Sequence, residues 1–158
     1  MRASKLGRYS WTMFDWANQP FYTLIMTFVF SVYFTDVFIT GEDGAQKLTL
    51  TQTISGLAIA LLSPVLGSIT DIKGNRKLLM SITSLLFVLG MALLWYSPPG
   101  APDGIWLVMF GLILASAMVG FSEVFNNSVL ATIETPENSG WLSGMGYGVG
   151  YIAGLIAL

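Results

Sequence analysis

Two short constellations in this 158-residue chain carry side chains able to bind a solute or move a proton. Asp15 is followed by Asn18 and Gln19, and Glu123 by Asn126 and Asn127, so each is an acid with amides three and four residues later. On a helix that spacing gathers the three groups on one face. A carboxylate flanked by carboxamides can accept from an amine, exchange a proton or hydrogen-bond a neighbouring helix. The chain has no Cys and no His, so a thiolate nucleophile, a disulfide framework, a zinc–cysteine site and the commonest general base are missing. We therefore expect no metal, no cofactor and no enzymatic activity, since only carboxylates would remain for an intramembrane enzyme.

The elements that must position these groups follow from composition. The chain is 54% hydrophobic and only 10% charged, against about 25% charged in a soluble domain. Its charges are clustered, leaving uncharged runs at 16–35, 48–70, 78–102, 104–122 and 138–158. A helix rising 1.5 Å per residue needs about 20 mostly apolar residues to cross roughly 30 Å of hydrocarbon. The expected fold is therefore an all-α membrane protein of about five transmembrane helices, near 16–38, 48–70, 78–97, 104–131 and 142–158. Trp11, Trp16, Trp95, Trp106 and Trp141 sit near the ends of these runs, as expected for an interfacial aromatic belt. A net charge of −2 gives no footprint for nucleic acid. With no P-loop, an ATP-driven pump is not supported.

Within this frame the acids acquire meaning. In span one Asp15, Gln19, Thr23, Thr27 and Ser31 recur every four residues as a drifting polar stripe, and in span four Ser116, Gly120, Glu123 and Asn127 form a similar stripe at spacings of four, three and four. Burying an acid such as Glu123 costs about 2.5–3.5 kcal/mol on insertion scales, so it is expected to face a cavity or a partner rather than lipid. One reading makes Glu123 line a transport path, binding a substrate amine or carrying a coupled proton; the other makes it a structural acid between helices. Asp15 has a capping or helix-dipole reading beside its pathway reading. Asn18, two residues before Pro20, has a role in satisfying backbone groups freed by the proline.

The segment between spans two and three contains Gly67, Asp71, Lys73, Gly74, Arg76 and Lys77. Gly67 would let a neighbouring helix approach, Asp71 could pair with basic groups, and Gly74 would permit a tight turn anchored by Arg76 and Lys77. Without further context it is a positive-inside loop with a glycine turn. Its spacing resembles the loop signature of the major facilitator superfamily (MFS), with Ile72 and Asn75 where that signature carries Arg. The runs Asp15-Trp16-Ala17-Asn18, Phe125-Asn126-Asn127-Ser128 and Ser143-Gly144 through Gly150-Tyr151 resemble the vacuole-effluxer-like, autophagy-related branch of that superfamily. The resemblance implies a secondary transporter with about twelve helices in two halves, of which this chain would be an incomplete N-terminal half lacking its C-terminal partner. It further implies a small-molecule substrate moved by alternating access, with amino acids the solute of fungal members, and a gating role for the 67–77 loop.

Span five carries Gly144, Gly146, Gly148, Gly150 and Gly154, which with Gly140 form two interleaved small-xxx-small ladders. Their expected role is close helix packing, and the resemblance places this helix against the opposite half. The alternative function is a small non-transporting membrane protein that associates through such faces or partners another transporter. Only 17 residues run from Leu142 to Leu158, so the chain reads as cut in or just after span five.

Orientation follows from the basic residues. Arg2, Lys5 and Arg8 precede span one, and Lys73, Arg76 and Lys77 follow span two, so both segments are expected in the cytoplasm and the polar clusters toward that side. The first run lacks a small-residue cleavage site and reads as a retained span rather than a signal peptide; a bacterial inner membrane is the expected setting. In this Cys-free chain Ser4→Cys should be labelled by an impermeant thiol reagent only from inside, and a cysteine in the 40–47 segment only from outside. The opposite pattern in sealed cells would invert the topology.

Overall fold

The computed structural model describes residues 3–73, 75–99 and 102–158, and those residues form helices without strands. Helix α1 covers Lys5–Phe38, α2 Glu42–Lys73, α3 Arg76–Leu93 with a 3-10 turn at Leu94–Tyr96, α4 Ile105–Ile133 and α5 Pro136–Ala157. The stretches Lys5–Phe38, Glu42–Ile69, Arg76–Tyr96 and Ile105–Ile133 are long and apolar enough to cross a membrane. The glycine-rich α5, expected as a fifth span, is not among them: six glycines, two serines and an asparagine dilute its apolar content. The helices also outrun the uncharged stretches, because a helix has no reason to stop where the hydrocarbon does.

The segment α1 is not a uniform α-helix. Lys5–Pro20 is α-helical, and Phe21–Phe28 and Phe34–Phe38 are π-helical, separated by an α turn at Phe30–Tyr33. Pro20 brings no N–H to the ladder. Beyond it the backbone bonds widen to five residues, as in Val29 N–H to the Leu24 carbonyl at 3.0 Å, and the Thr27 side-chain hydroxyl also donates to the Tyr22 carbonyl at 2.8 Å.

The chain divides into two compact units, Met1–Phe30 with Asn126–Leu158, and Ser31–Phe125. In the first, the Lys5–Pro20 helix packs along α5. Its start is capped by Ser4, whose hydroxyl accepts from Gly7 N–H at 3.2 Å. Helix α5 begins with Thr135 in an extended conformation, Pro136 in its first turn and Glu137 just behind, the usual order for a helix start.

In the second unit α2 follows Gly41, whose φ of +89° suits glycine. Glu42 and Asp43 then complement the positive end of the α2 dipole. Helices α3 and α4 approach so closely that a Cβ on Gly90 would lie 2.7 Å from Ala115 N and 2.8 Å from the Gly111 carbonyl oxygen. Two turns further along, the hydroxyls of Thr83 and Ser122, both buried, pair at 2.6 Å. Ala117, Phe121 and Phe125 form the core there, packed against Ile59, Leu66, Leu79, Met80 and Met118. Gly120 leaves room for the Ile59 side chain, whose Cδ1 would lie 2.6 Å from a Cβ at that position.

The obstacles at Gly90 are backbone atoms, which cannot rotate away. Gly90→Ala should therefore cost about 1–3 kcal/mol through forced separation of α3 and α4, whereas Gly56→Ala, which meets nothing within 4 Å, should be neutral or slightly stabilising. Chemical unfolding of the two variants in detergent micelles checks this.

Candidate functional site

The first unit brings the polar stripe of α1 against the glycines of α5. A Cβ on Gly146 would lie 2.5 Å from Asp15 Oδ2 and 3.3 Å from the Trp11 ring; one on Gly150 would touch Asp15 Cβ at 3.3 Å. One on Gly154 would lie 2.6 Å from Thr23 Oγ1 and 3.1 Å from Gln19 Cγ. Asp15, Gln19 and Thr23 thus lie on the ladder Gly146–Gly150–Gly154, each small residue leaving space for a polar side chain from the facing helix. Leu142 and Ala153 complete the buried face of α5.

The second ladder is different. Cβ atoms built on Gly140, Gly144 and Gly148 would meet nothing within 4 Å. Of the two ladders read from the sequence, one is occupied inside its own unit, and the other edge of the same helix is open.

Past the proline the stripe continues along an open crevice of about 290 Å³, where Gln19, Thr23 and Thr27 lie with Tyr22, Tyr151 and Gly154. The π-helical stretch matters here. Bonds from i to i+5 put more residues in each turn than an α-helix has, so residues four apart drift less around the axis. Asn18 is half-buried, and its Nδ2 is buried without a hydrogen-bond partner.

The end of α4 is tied to the start of α1. The Trp11 indole N–H donates to the Asn126 carbonyl oxygen at 2.8 Å, and Ala3 N–H donates to the Ile133 carbonyl at 3.0 Å. Arg8 Nη1 donates to Glu134 Oε2 at 2.8 Å, with the Glu134 side chain 1% exposed and that of Arg8 25%. The other Glu134 oxygen accepts from Thr135 N–H at 3.1 Å. This pair was not foreseen from the sequence, although Glu134 ends an apolar run whose following loop has no basic residue.

Asn126 is buried, and Asn127 is exposed on a crevice of about 310 Å³ shared with Leu130, Glu134 and Ser139. Glu123 is half-buried in the second unit, next to the Thr83–Ser122 pair. In the 67–77 segment Gly67 is half-buried, and a Cβ there would meet nothing within 4 Å. The backbone of Asp71 and Lys73 forms the last turn of α2, Gly74 lies outside the described residues, and Arg76 and Lys77 open α3. Among the described residues no group of three or more acidic side chains could hold a metal ion.

Comparison with known proteins places this geometry in context. No family model matches the chain. No solved structure matches it either. It is 30% identical over 153 residues, 93% of its length, to YxiO of Bacillus subtilis, named as an uncharacterised MFS-type transporter. It is 34% identical over 139 residues, 86% of its length, to an uncharacterised protein of Aquifex aeolicus. The chain spans about a third of the length of these curated relatives, 35% and 34% respectively. The likeness to a protein named as an MFS-type transporter thus runs along nearly the whole of this chain. With four apolar helices of spanning length, the chain is a multi-pass, all-α integral membrane protein.

A buried carboxylate stranded by loss of its cation is costly. Arg8→Ala should destabilise the protein by about 3 kcal/mol, and adding Glu134→Leu should recover more than half of that, because the stranded charge is then gone. Chemical unfolding of the single and double variants measures the difference.

Proposed function

We propose that the chain is the N-terminal part of a secondary active transporter of the MFS, moving a small solute through the bilayer by alternating access and catalysing no reaction. The observation that carries this reading is the similarity to an MFS-type transporter over 93% of the chain. In this reading the opposite half of the transport path belongs to a C-terminal portion that follows this chain.

In this reading the acid–amide clusters Asp15–Asn18–Gln19 and Glu123–Asn126–Asn127 serve the solute and a coupled proton, and the 67–77 loop steadies the inner gate. The Asp15-Trp16-Ala17-Asn18 motif favours the vacuole-effluxer-like branch, and with it an amino acid as solute. Basic residues before α1 and between α2 and α3 favour a cytoplasmic N-terminus, and the two relatives favour a bacterial cell membrane.

The test uses a protein carrying both halves, reconstituted in proteoliposomes and driven by a pH gradient. Uptake of a labelled amino acid mixture is expected, with Glu123→Gln lowering it about tenfold or more and flattening its pH dependence at unchanged protein incorporation. Wild-type vesicles that accumulate nothing would overturn the transport of amino acids. A Glu123→Gln protein with intact uptake and pH profile would remove that residue from the path.

A further inference from the structure

Where α1 begins, Lys5, Arg8 and Tyr9 face Trp141, Leu142 and Met145 of α5 across a crevice of about 80 Å³. The two cations are three residues apart, one helical turn. Only one of them is neutralised. Arg8 gives Nη1 to Glu134, while its Nε is buried with no hydrogen-bond partner. Lys5 has no acidic partner among the described residues, and the first turn of α1 contains no acid. Lys5 therefore adds its uncompensated charge to the partial positive charge that a helix carries at its start, with the unpartnered Arg8 Nε beside it. An anion entering the crevice would relieve that excess charge.

The walls say which anion. A soluble anion site is lined by polar groups, but here Leu142 is buried beneath the cations and the rim is aromatic, with Tyr9 55% and Trp141 65% exposed. Tyr and Trp with one apolar and one polar end settle at headgroup depth. Away from the crevice the same faces stay apolar and uncovered, through Met13 and Trp16 on α1 and Ile152 and Ile156 on α5. A phosphate at the cations would thus have hydrocarbon surface next to it along both helices, which suits an ester of long acyl chains. Basic pockets between membrane helices are known to take phospholipid headgroups.

The geometry points to a binding site for the headgroup phosphate of an anionic phospholipid, held by Lys5 and Arg8 and walled by Tyr9 and Trp141. Glu134 acts as a positioning residue, holding the Arg8 guanidinium against the crevice. The site is independent of transport, because it needs neither a solute nor a second half.

The test is lipid selection by the full 158-residue chain in symmetric vesicles of phosphatidylcholine containing one-tenth phosphatidylglycerol. The bromine label is carried on the acyl chains of either lipid in turn, and quenching of tryptophan fluorescence reports the lipid beside the protein. Brominated phosphatidylglycerol should quench several-fold more, per molecule, than brominated phosphatidylcholine. Lys5→Gln should cut that preference about fivefold, the share of one lysine near an anionic surface, and Lys5→Arg should keep it. Trp141→Leu, which leaves every charge in place, should also reduce the preference, as seen in the quenching of the remaining tryptophans relative to phosphatidylcholine. Lys77→Gln, a cation outside the crevice, should change it less than twofold.

Equal quenching by both lipids in the wild type would overturn the site, as would equal effects of Lys5→Gln and Lys77→Gln, which would reduce it to diffuse surface charge. Inorganic phosphate at 10 mM abolishing the preference would assign the crevice to a free anion and overturn the lipid. Helical content by circular dichroism, unchanged in the variants, keeps a folding defect from imitating the result.

Discussion

Between membrane helices there is no hydrophobic drive to association, since lipid tails are as apolar as leucine; contact must come from close packing and hydrogen bonds. The first unit meets that requirement with one seam, the polar side chains of α1 laid on the glycine ladder of α5. Each glycine removes a side chain where a carboxylate, an amide or a hydroxyl has to fit. Asp15 can reside in the helix pair because Gly146 and Gly150 are there to receive it. The hydrogen bond from Trp11 to Asn126 and the ion pair from Arg8 to Glu134 then fix one end of that seam.

The second unit answers the same constraint with a different pairing. Gly90 and Gly111 bring two backbones together, and the hydroxyls of Thr83 and Ser122 satisfy each other beside that approach. Large side chains are confined to a small cluster around Phe121 and Phe125. Much of the remaining apolar surface, on Leu57, Leu61, Leu85 and Leu89 for example, is exposed in the isolated chain, as suits helices with lipid beside them. In both units the tight contacts are set by small residues.

The sequence disclosed the repeats and concealed the partners. The two glycine ladders, the polar stripe and the charge-free runs were all legible, because each is a periodicity along one helix. Which ladder would be filled was not legible, since Gly140–Gly144–Gly148 and Gly146–Gly150–Gly154 have the same composition and spacing. The expectation that the α5 glycines wait for an opposite half now bears on the open ladder, while the filled one is engaged with α1. Arg8 was readable as a topological signal and Glu134 as an unbalanced acid, but no local pattern joins residues that far apart. The π-helical stretches leave no trace in hydropathy, and Pro20 alone hinted that the ladder would change there.

The Arg8–Glu134 pair closes across 126 positions of chain, and that separation is also an interval of time. At about 5–20 residues per second of synthesis, roughly 6–25 s pass between the emergence of the cation and the arrival of its acid. Throughout that interval the first helix must sit in or at the membrane with Asp15 uncovered and its glycine ladder not yet made. The first unit can therefore close only after Ser31–Phe125 has been synthesised, since its two segments lie on either side of that stretch. A ribosome pausing within that window would leave α1 without its partner for longer, which makes this helix dependent on the machinery that escorts nascent helices.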